Sequence, residues 1–395
     1  MAKPGPLAVE ILNALVRHEN ATRDQVRRFI AEGVRPHLSA SLFDRYELDP
    51  AGNLVALKGG HRVDLPPLTL LAYGMDFPPS DMVDPHEPRM VDGAPHGQEG
   101  PCIWGRGNCE HRGALAALLA SARIFLEEHP GLRRPLALIV CVAGEEGSHE
   151  AARALFEEAP LPLGPTLIVR NTRNQVCLGN KGGLTVEVTV HGRPGHASDP
   201  ARARNAIEGA LRAVEFARAE AAAAPADPHL GGAALVPTFI ESTPRAHSGI
   251  PHGCRLTLVR RLLPGEEPEA VAMDWMERWS TLDGFRFEAA ISGFQHAAKV
   301  NGKGELAQAL LRALPEVGGR AETCYMGAAL DAGYFVRRGV EAVSFGPGDA
   351  SLAHTAHDMV SIAELQGAAR TYHRLMELML LEGRSPGGDD ALAGC

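Results

Sequence analysis

Residues Gly179–Ile207 read GNKGGLTVEVTVHGRPGHASDPARARNAI. From Leu184 to Gly192 apolar and polar side chains alternate, as in a strand with one face on a core and the other in water. The segment GRPGHASDP then clusters Gly, Pro, Ser and Asp, the residues that turn a chain. A helix is expected from about Arg204 to Ala222, and the low-complexity run AEAAAAPAD (Ala219–Asp227) ends it in a surface loop. CRLTLVRRLL (Cys254–Leu263) and FRFEAAISGF (Phe285–Phe294) are two further strand candidates. This strand–helix–strand–strand block is a small α+β unit over 184–294.

The sequence on either side has a different texture. Leu68–Tyr73 (LTLLAY), Leu136–Val142 (LALIVCV), Thr166–Val169 (TLIV) and Ala342–Phe345 (AVSF) are short, continuously apolar runs. Runs of that length suit strands buried on both faces. Helical stretches lie between them, notably Arg112–Glu128 and Ala363–Leu381. The alternation implies an α/β domain with a mainly parallel sheet, made of 1–183 and 295–395 and interrupted by the smaller unit. A chain of 395 residues is long enough for two such cores.

A net charge of −9 and scattered Arg and Lys give no electrostatic footprint for nucleic acid or an anionic membrane. No apolar stretch of about 18 residues appears, so no spanning segment is expected. The first twenty residues read as an amphipathic helix without the apolar centre of a secretion signal. The seven cysteines are odd in number, widely spaced and free of C-x-x-C, which argues against a disulfide framework or a cysteine zinc site. A cytoplasmic protein is expected, with a disordered Gly-rich tail at Gly383–Cys395.

In open α/β sheets reactive groups collect at the carboxyl ends of strands. Those ends here are Tyr73-Gly-Met-Asp76, Ala143-Gly-Glu-Glu146, Arg170-Asn-Thr172 and Gly346-Pro-Gly348. Adjacent carboxylates such as Glu145 and Glu146 repel unless a cation or proton intervenes. Glu110 and His111 stand just before a long helix, where an acid is favourable in any case. His196, His354 and His357, taken singly, are as easily structural.

Taken together these segments resemble, in order and spacing, the superfamily of zinc aminoacylases, carboxypeptidase G, acetylornithine deacetylase and succinyl-diaminopimelate desuccinylase. LLAYGMDFPP (Leu70–Pro79) is similar to its strand ending in G-H-x-D, and GRGNCEHRGALAALL (Gly105–Leu119) to its G-R-G-x-x-D-x-K-G helix entry. AGEEGS (Ala143–Ser148) resembles its Glu-Glu loop, and FGPGDASLAHTAHD (Phe345–Asp358) its final histidine motif. Gly179–Ile207 resembles the junction into its lid. The resemblance implies a catalytic domain interrupted by a lid that also dimerises, and two zinc ions sharing a bridging aspartate. It also implies a glutamate base that activates water against an amide carbonyl of an N-acyl amino acid or small peptide with a free carboxylate.

Carried across residue by residue, the implied site is incomplete. The first histidine ligand falls at Gly74, the bridging aspartate at Glu110, and a glutamate ligand at Arg170. Arginine is always protonated and has no acceptor, so it cannot bind a metal. Asp76 matches the aspartate that supports the first histidine, and His354 the last ligand. The Glu-Glu loop has two registers: Glu145 as base with Glu146 as ligand, or Glu145 as ligand with the base position at Gly144. Gly74 and Arg170 empty one metal position, while Glu110, Glu146 and His354 remain for one divalent ion, zinc or another, or for none. His86, His96 and His111 are candidates to refill the Gly74 position. Arg170 is expected to stand where the missing metal was, bridging Asp76 and Glu110, with the loss of a histidine at Gly74 making room for it. In the lid, His196 resembles an oxyanion donor to a partner subunit's site. Arg261 resembles the arginine that grips the substrate carboxylate, and Ser248 stands where an asparagine is usual. The expected enzyme is a homodimeric amide hydrolase with one metal; the alternative is a non-hydrolytic relative in which the same pocket binds a partner or does altered chemistry.

Overall fold

A computed structural model describes residues 3–143, 148–158, 160–245, 247–282 and 284–382. The large sheet runs in the order Arg45–Leu48, Leu54–Lys58, Leu136–Cys141, Leu68–Tyr73, Thr166–Val169, Ala342–Phe345, Val176–Asn180, Ala298–Lys299, with Thr323–Met326 beside Val176–Asn180. The four apolar runs occupy its centre and pair in parallel. Every residue of these four strands is buried, which is why they carry no polar alternation. The antiparallel pairs lie towards the edges.

Helices Pro4–Leu15, Gly113–Glu128 and Ile362–Met376 pack together over this sheet. The middle one is buried almost all round, as Ala- and Leu-rich GALAALLASARIF allows. It begins from a π-helical turn, Asn108–Arg112, instead of starting at Arg112. This turn fixes where Glu110, His111 and Arg112 point.

A separate antiparallel sheet has the order Ala234–Thr243, Gly253–Leu262, Gly182–His191, Arg286–Gln295. Leu184, Val186, Val188 and Val190 form its buried face. Helices Ala206–Ala223 and Pro268–Trp279 cover that face with Ala206, Ala210, Ala213, Trp275 and Trp279. Arg260 is fully buried there and holds both Glu220 and Glu266. The chain enters this sheet at Gly182 and leaves at Gln295, on neighbouring strands. No helix of the described residues is long and apolar enough to cross a membrane.

Candidate functional site

The carboxyl end of the Thr166–Val169 strand, the loop after Ala350–Leu352 and the Asn108–Arg112 turn converge on Glu110. Its carboxylate is buried, with 5% of the side chain exposed. Arg170 Nη2 donates to Oε1 at 2.5 Å, and His354 Nε2 lies 2.9 Å from Oε2. Arg170 follows the Thr166–Val169 strand directly, and its Nε donates to Asn171 Oδ1 at 3.1 Å. His354 sits in left-handed backbone at φ 62°, and its ring stacks on Phe77 with centroids 4.1 Å apart and planes 12° apart. Burial opposes ionisation of Glu110, but His111, His354 and Arg170 together hold its pKa far below the usual carboxylate value.

Asp76 forms a second, adjacent cluster. It accepts from Arg112 Nε at 2.6 Å and from Asn20 Nδ2 at 2.8 Å, with His111 Nδ1 at 3.2 Å. Its pKa is also lowered: burial pushes it up, and Arg112 and His111 outweigh burial. Asp76 comes so close to the turn that a Cβ at Gly107 would lie 2.1 Å from its Oδ2. Gly107 also adopts φ 79°, so glycine is required there twice over.

These contacts correct two of the expectations about Arg170. Its guanidinium meets Glu110, whereas Asp76 is neutralised by Arg112. Glu110 and Arg112 lie two residues apart on the turn and point in different directions, so the two acids receive separate cations. Nor does Gly74 make room for Arg170. A Cβ at Gly74 would lie 2.8 Å from Val26 Cγ1 and 3.0 Å from the Cys141 carbonyl oxygen. The space of the absent histidine is filled by Val26 and backbone.

Of the three histidines considered for refilling that position, His111 stands beside Asp76, its Nδ1 2.6 Å from the Met75 carbonyl oxygen. His86 Nδ1 lies 3.2 Å from the Val16 carbonyl oxygen, and the His96 ring packs against His357. Glu145 and Glu146 lie outside the described residues, as does the tail from Gly383. Asp358, unused in the sequence reading, braces the Glu110 turn. It accepts from the backbone N–H of Gly107 at 2.6 Å and of Cys109 at 2.9 Å. Burial pushes its pKa up to about 6 against those donors.

In the unit built on the second sheet, expected to be a lid, His196 and Ser248 are neighbours. The two-residue strand Gly195–His196 pairs with Gly249–Ile250, and Ala197 N–H donates to the Ser248 carbonyl oxygen at 2.9 Å. Both residues are exposed on this chain, and the His196 ring meets Ser198 Oγ at 2.7 Å. Arg261, near the lid's entry strand, is half-buried and has no ion pair among the described residues. Burial lowers its pKa.

Among the described residues, two of the ligand positions that the resemblance implies, Gly74 and Arg170, carry no metal donor. One ligand position is backbone, another is a cation already bonded to Glu110, and the described residues contain no group of three or more His, Cys, Asp or Glu able to hold an ion. The arrangement can still bind and polarise: a fixed guanidinium, a charged carboxylate and an oriented imidazole are in direct contact.

Among known proteins, the chain is 29% identical over 331 residues to an acetylornithine deacetylase of Myxococcus xanthus, covering 80% of this chain and 82% of that one. In fold it is similar to a tripeptidase from Staphylococcus aureus, with TM-score 0.74, 16% identity, and 95% and 98% of the two chains covered. It is also similar to an M20 family metallo-carboxypeptidase from Sulfolobus solfataricus, with TM-score 0.73, 16% identity, and 94% and 98% covered. A family description, peptidase family M20/M25/M40, matches residues 79–378. With that match running over most of its length, the chain belongs to peptidase family M20/M25/M40 and is a hydrolase of this metallopeptidase family.

Proposed function

We propose that this enzyme hydrolyses an amide bond in a small carboxylated substrate, an N-acyl amino acid or short peptide, with at most one divalent ion per chain. The observation that carries the reading is the contact between Arg170 and Glu110. A cation already neutralises the acid that would otherwise bridge two metals, and it cannot leave or deprotonate. The ion that remains is held by Glu110, His354 and Glu146, the last outside the described residues. Arg170 keeps Glu110 ionised, and the stack on Phe77 fixes the plane of the His354 ring.

Arg261 supports the substrate class. A half-buried guanidinium without an ion pair is costly, and an incoming carboxylate supplies a bidentate partner. Ser248 alters the neighbouring contact relative to an asparagine and so changes which acyl or side-chain group is preferred. The exposed lid strand Ala234–Thr243 supports a homodimer. Val236, Phe239 and Ile240 are each about half exposed along its open edge, an arrangement single subunits usually cover.

The test is a hydrolysis screen of N-acyl amino acids and dipeptides, each run beside its carboxamide analogue. Slow turnover that requires the free carboxylate is expected, because one ion and an arginine replace two ions. Turnover indifferent to the carboxylate, or none with any member of the panel, would overturn the reading.

A further inference from the structure

Four separate pieces of chain are joined through the buried side chains of Asp331 and His149. Tyr73, the last residue of the strand that leads to Gly74 and Asp76, donates its hydroxyl to Asp331 Oδ2 at 3.0 Å. His149, just beyond the Glu-Glu loop, places Nδ1 2.9 Å from Asp331 Oδ1. Asp331 itself stands immediately before the Ala332–Arg337 helix, its carboxylate turned to these partners and not to the helix N–H groups. The fourth piece is His296, whose backbone N–H donates to His149 Nε2 at 2.7 Å. Because Nε2 accepts from a backbone N–H it carries no proton, so Nδ1 bears the hydrogen and donates it to Asp331. Both ring nitrogens are therefore committed, and the side chain is only 1% exposed.

His296 occupies a particular place in the fold. The two connections between the sheets form one antiparallel ribbon. Gly183 pairs with Gln295 on the lid side, and Asn180 pairs with Ala298 on the catalytic side. His296 falls in the gap between these paired segments, and its N–H turns to His149. The crossing is tight as well: a Cβ at Gly333 would lie 2.0 Å from the His296 carbonyl oxygen, so the Ala332–Arg337 helix that follows Asp331 packs directly on the connection. The His149 and His296 rings stack with centroids 5.4 Å apart and planes 19° apart. On the other side, Ser148 and His149 both hold left-handed backbone, at φ 67° and 55°. Non-glycine residues keep that conformation only where surrounding contacts over-determine it.

The geometry points to His149 as a positioning residue that couples the seating of the lid to the catalytic domain. Its Asp331 bond fixes the chain that leaves the Glu-Glu loop, and its His296 bond fixes the ribbon from which the lid hangs. Arg261 is carried by the lid and Glu110 by the catalytic domain, so this one imidazole helps set the span between the carboxylate grip and the acid pocket. The kinetic part of this inference rests on the hydrolase reading above; the structural part does not.

Two substitutions separate the two bonds. Asn at 149 keeps an amide donor near the Nδ1 position and loses the acceptor for His296. Gln places an amide oxygen near the Nε2 position and keeps that acceptor. Hydrogen exchange of the 292–299 segment in the full-length protein is read first, because it needs no substrate. His149→Asn is expected to speed exchange of the His296 amide about tenfold, the weight of one hydrogen bond, and His149→Gln to leave it nearly protected. With any substrate found in the screen, His149→Asn should raise KM about tenfold with a smaller fall in kcat, and His149→Gln should restore KM. Unchanged exchange in His149→Asn, with the variant folded, overturns the latch whether or not a substrate is known. Faster exchange with unchanged KM overturns the coupling, and the absence of any turnover in the unaltered enzyme counts against the hydrolase reading alone.

Discussion

The Arg170 guanidinium and the Glu110 carboxylate meet at 2.5 Å with 9% and 5% of their side chains exposed. The pair joins the end of the Thr166–Val169 strand to the Asn108–Arg112 turn. Removing one partner of a buried ion pair leaves the other charge uncompensated, which typically costs ~3–5 kcal/mol. Arg170→Met should therefore destabilise the protein by ~3 kcal/mol, with His354 retaining part of the compensation. Urea melts at neutral pH measure this, and an unchanged midpoint would mean that Arg170 only occupies space.

The same pair sets a pH dependence. Glu110 and Asp76 both have folded-state pKa values below their ordinary 4.5 and 3.8. Their contribution to stability is thus fully present above those ordinary values and is lost as pH falls through them towards the depressed folded values. The stability gap between the enzyme and Glu110→Gln should be widest above pH 4.5 and shrink below it. Asp358 runs the other way: raised from 3.8 to about 6, it favours the folded state most at low pH and loses that contribution as pH rises through this window. Melts from pH 3 to 7 on both proteins decide the sign, and a gap that widens on acidification would contradict it.

Arg261 gives a prediction in binding. Arg261→Lys keeps the charge and loses the bidentate fork, so KM for a carboxylated substrate should rise about tenfold. Inhibition by the carboxamide analogue should be affected little. Equal effects on both compounds would place Arg261 outside the carboxylate grip.

The exposed lid edge predicts a dimer that one charge can break. Ile240→Asp places an anion on the open face of the Ala234–Thr243 strand beside Phe239. Sedimentation should show the unaltered protein as a dimer and this variant shifted towards monomer. A monomer at the outset would contradict the assignment of that surface.

The parts of this fold legible in the sequence are those where one face or one period dominates. The four continuously apolar runs became the central parallel strands at nearly their expected bounds, and LTVEVTVHG became a lid strand because its alternation is clean. Ala234–Thr243 gave no such signal. Pro237 interrupts it, and Val236, Phe239 and Ile240 are exposed while Leu235 packs on the core. The structure places it at an edge, with a register shift between Pro237 and Phe239, where a missing ladder donor is tolerated.

The candidate site was legible as residue types but not as pairings. Arg170 stood out at a strand end, the resemblance supplied Glu110 and His354, and the structure brings the three together. Which cation serves which acid depends on the direction of side chains leaving the π-helical turn, which spacing does not encode. Arg112, only two residues beyond Glu110, consequently went unnoticed as the partner of Asp76. The only sequence signal was its place at the helix entry, where the family resemblance sets a lysine.

The central claim is that arginine has replaced one metal position, and elemental analysis of the purified protein after saturation with zinc tests it most directly. No more than one tightly held ion per chain is expected, with no gain in that number when zinc is raised further. Two ions per chain at saturation would contradict it.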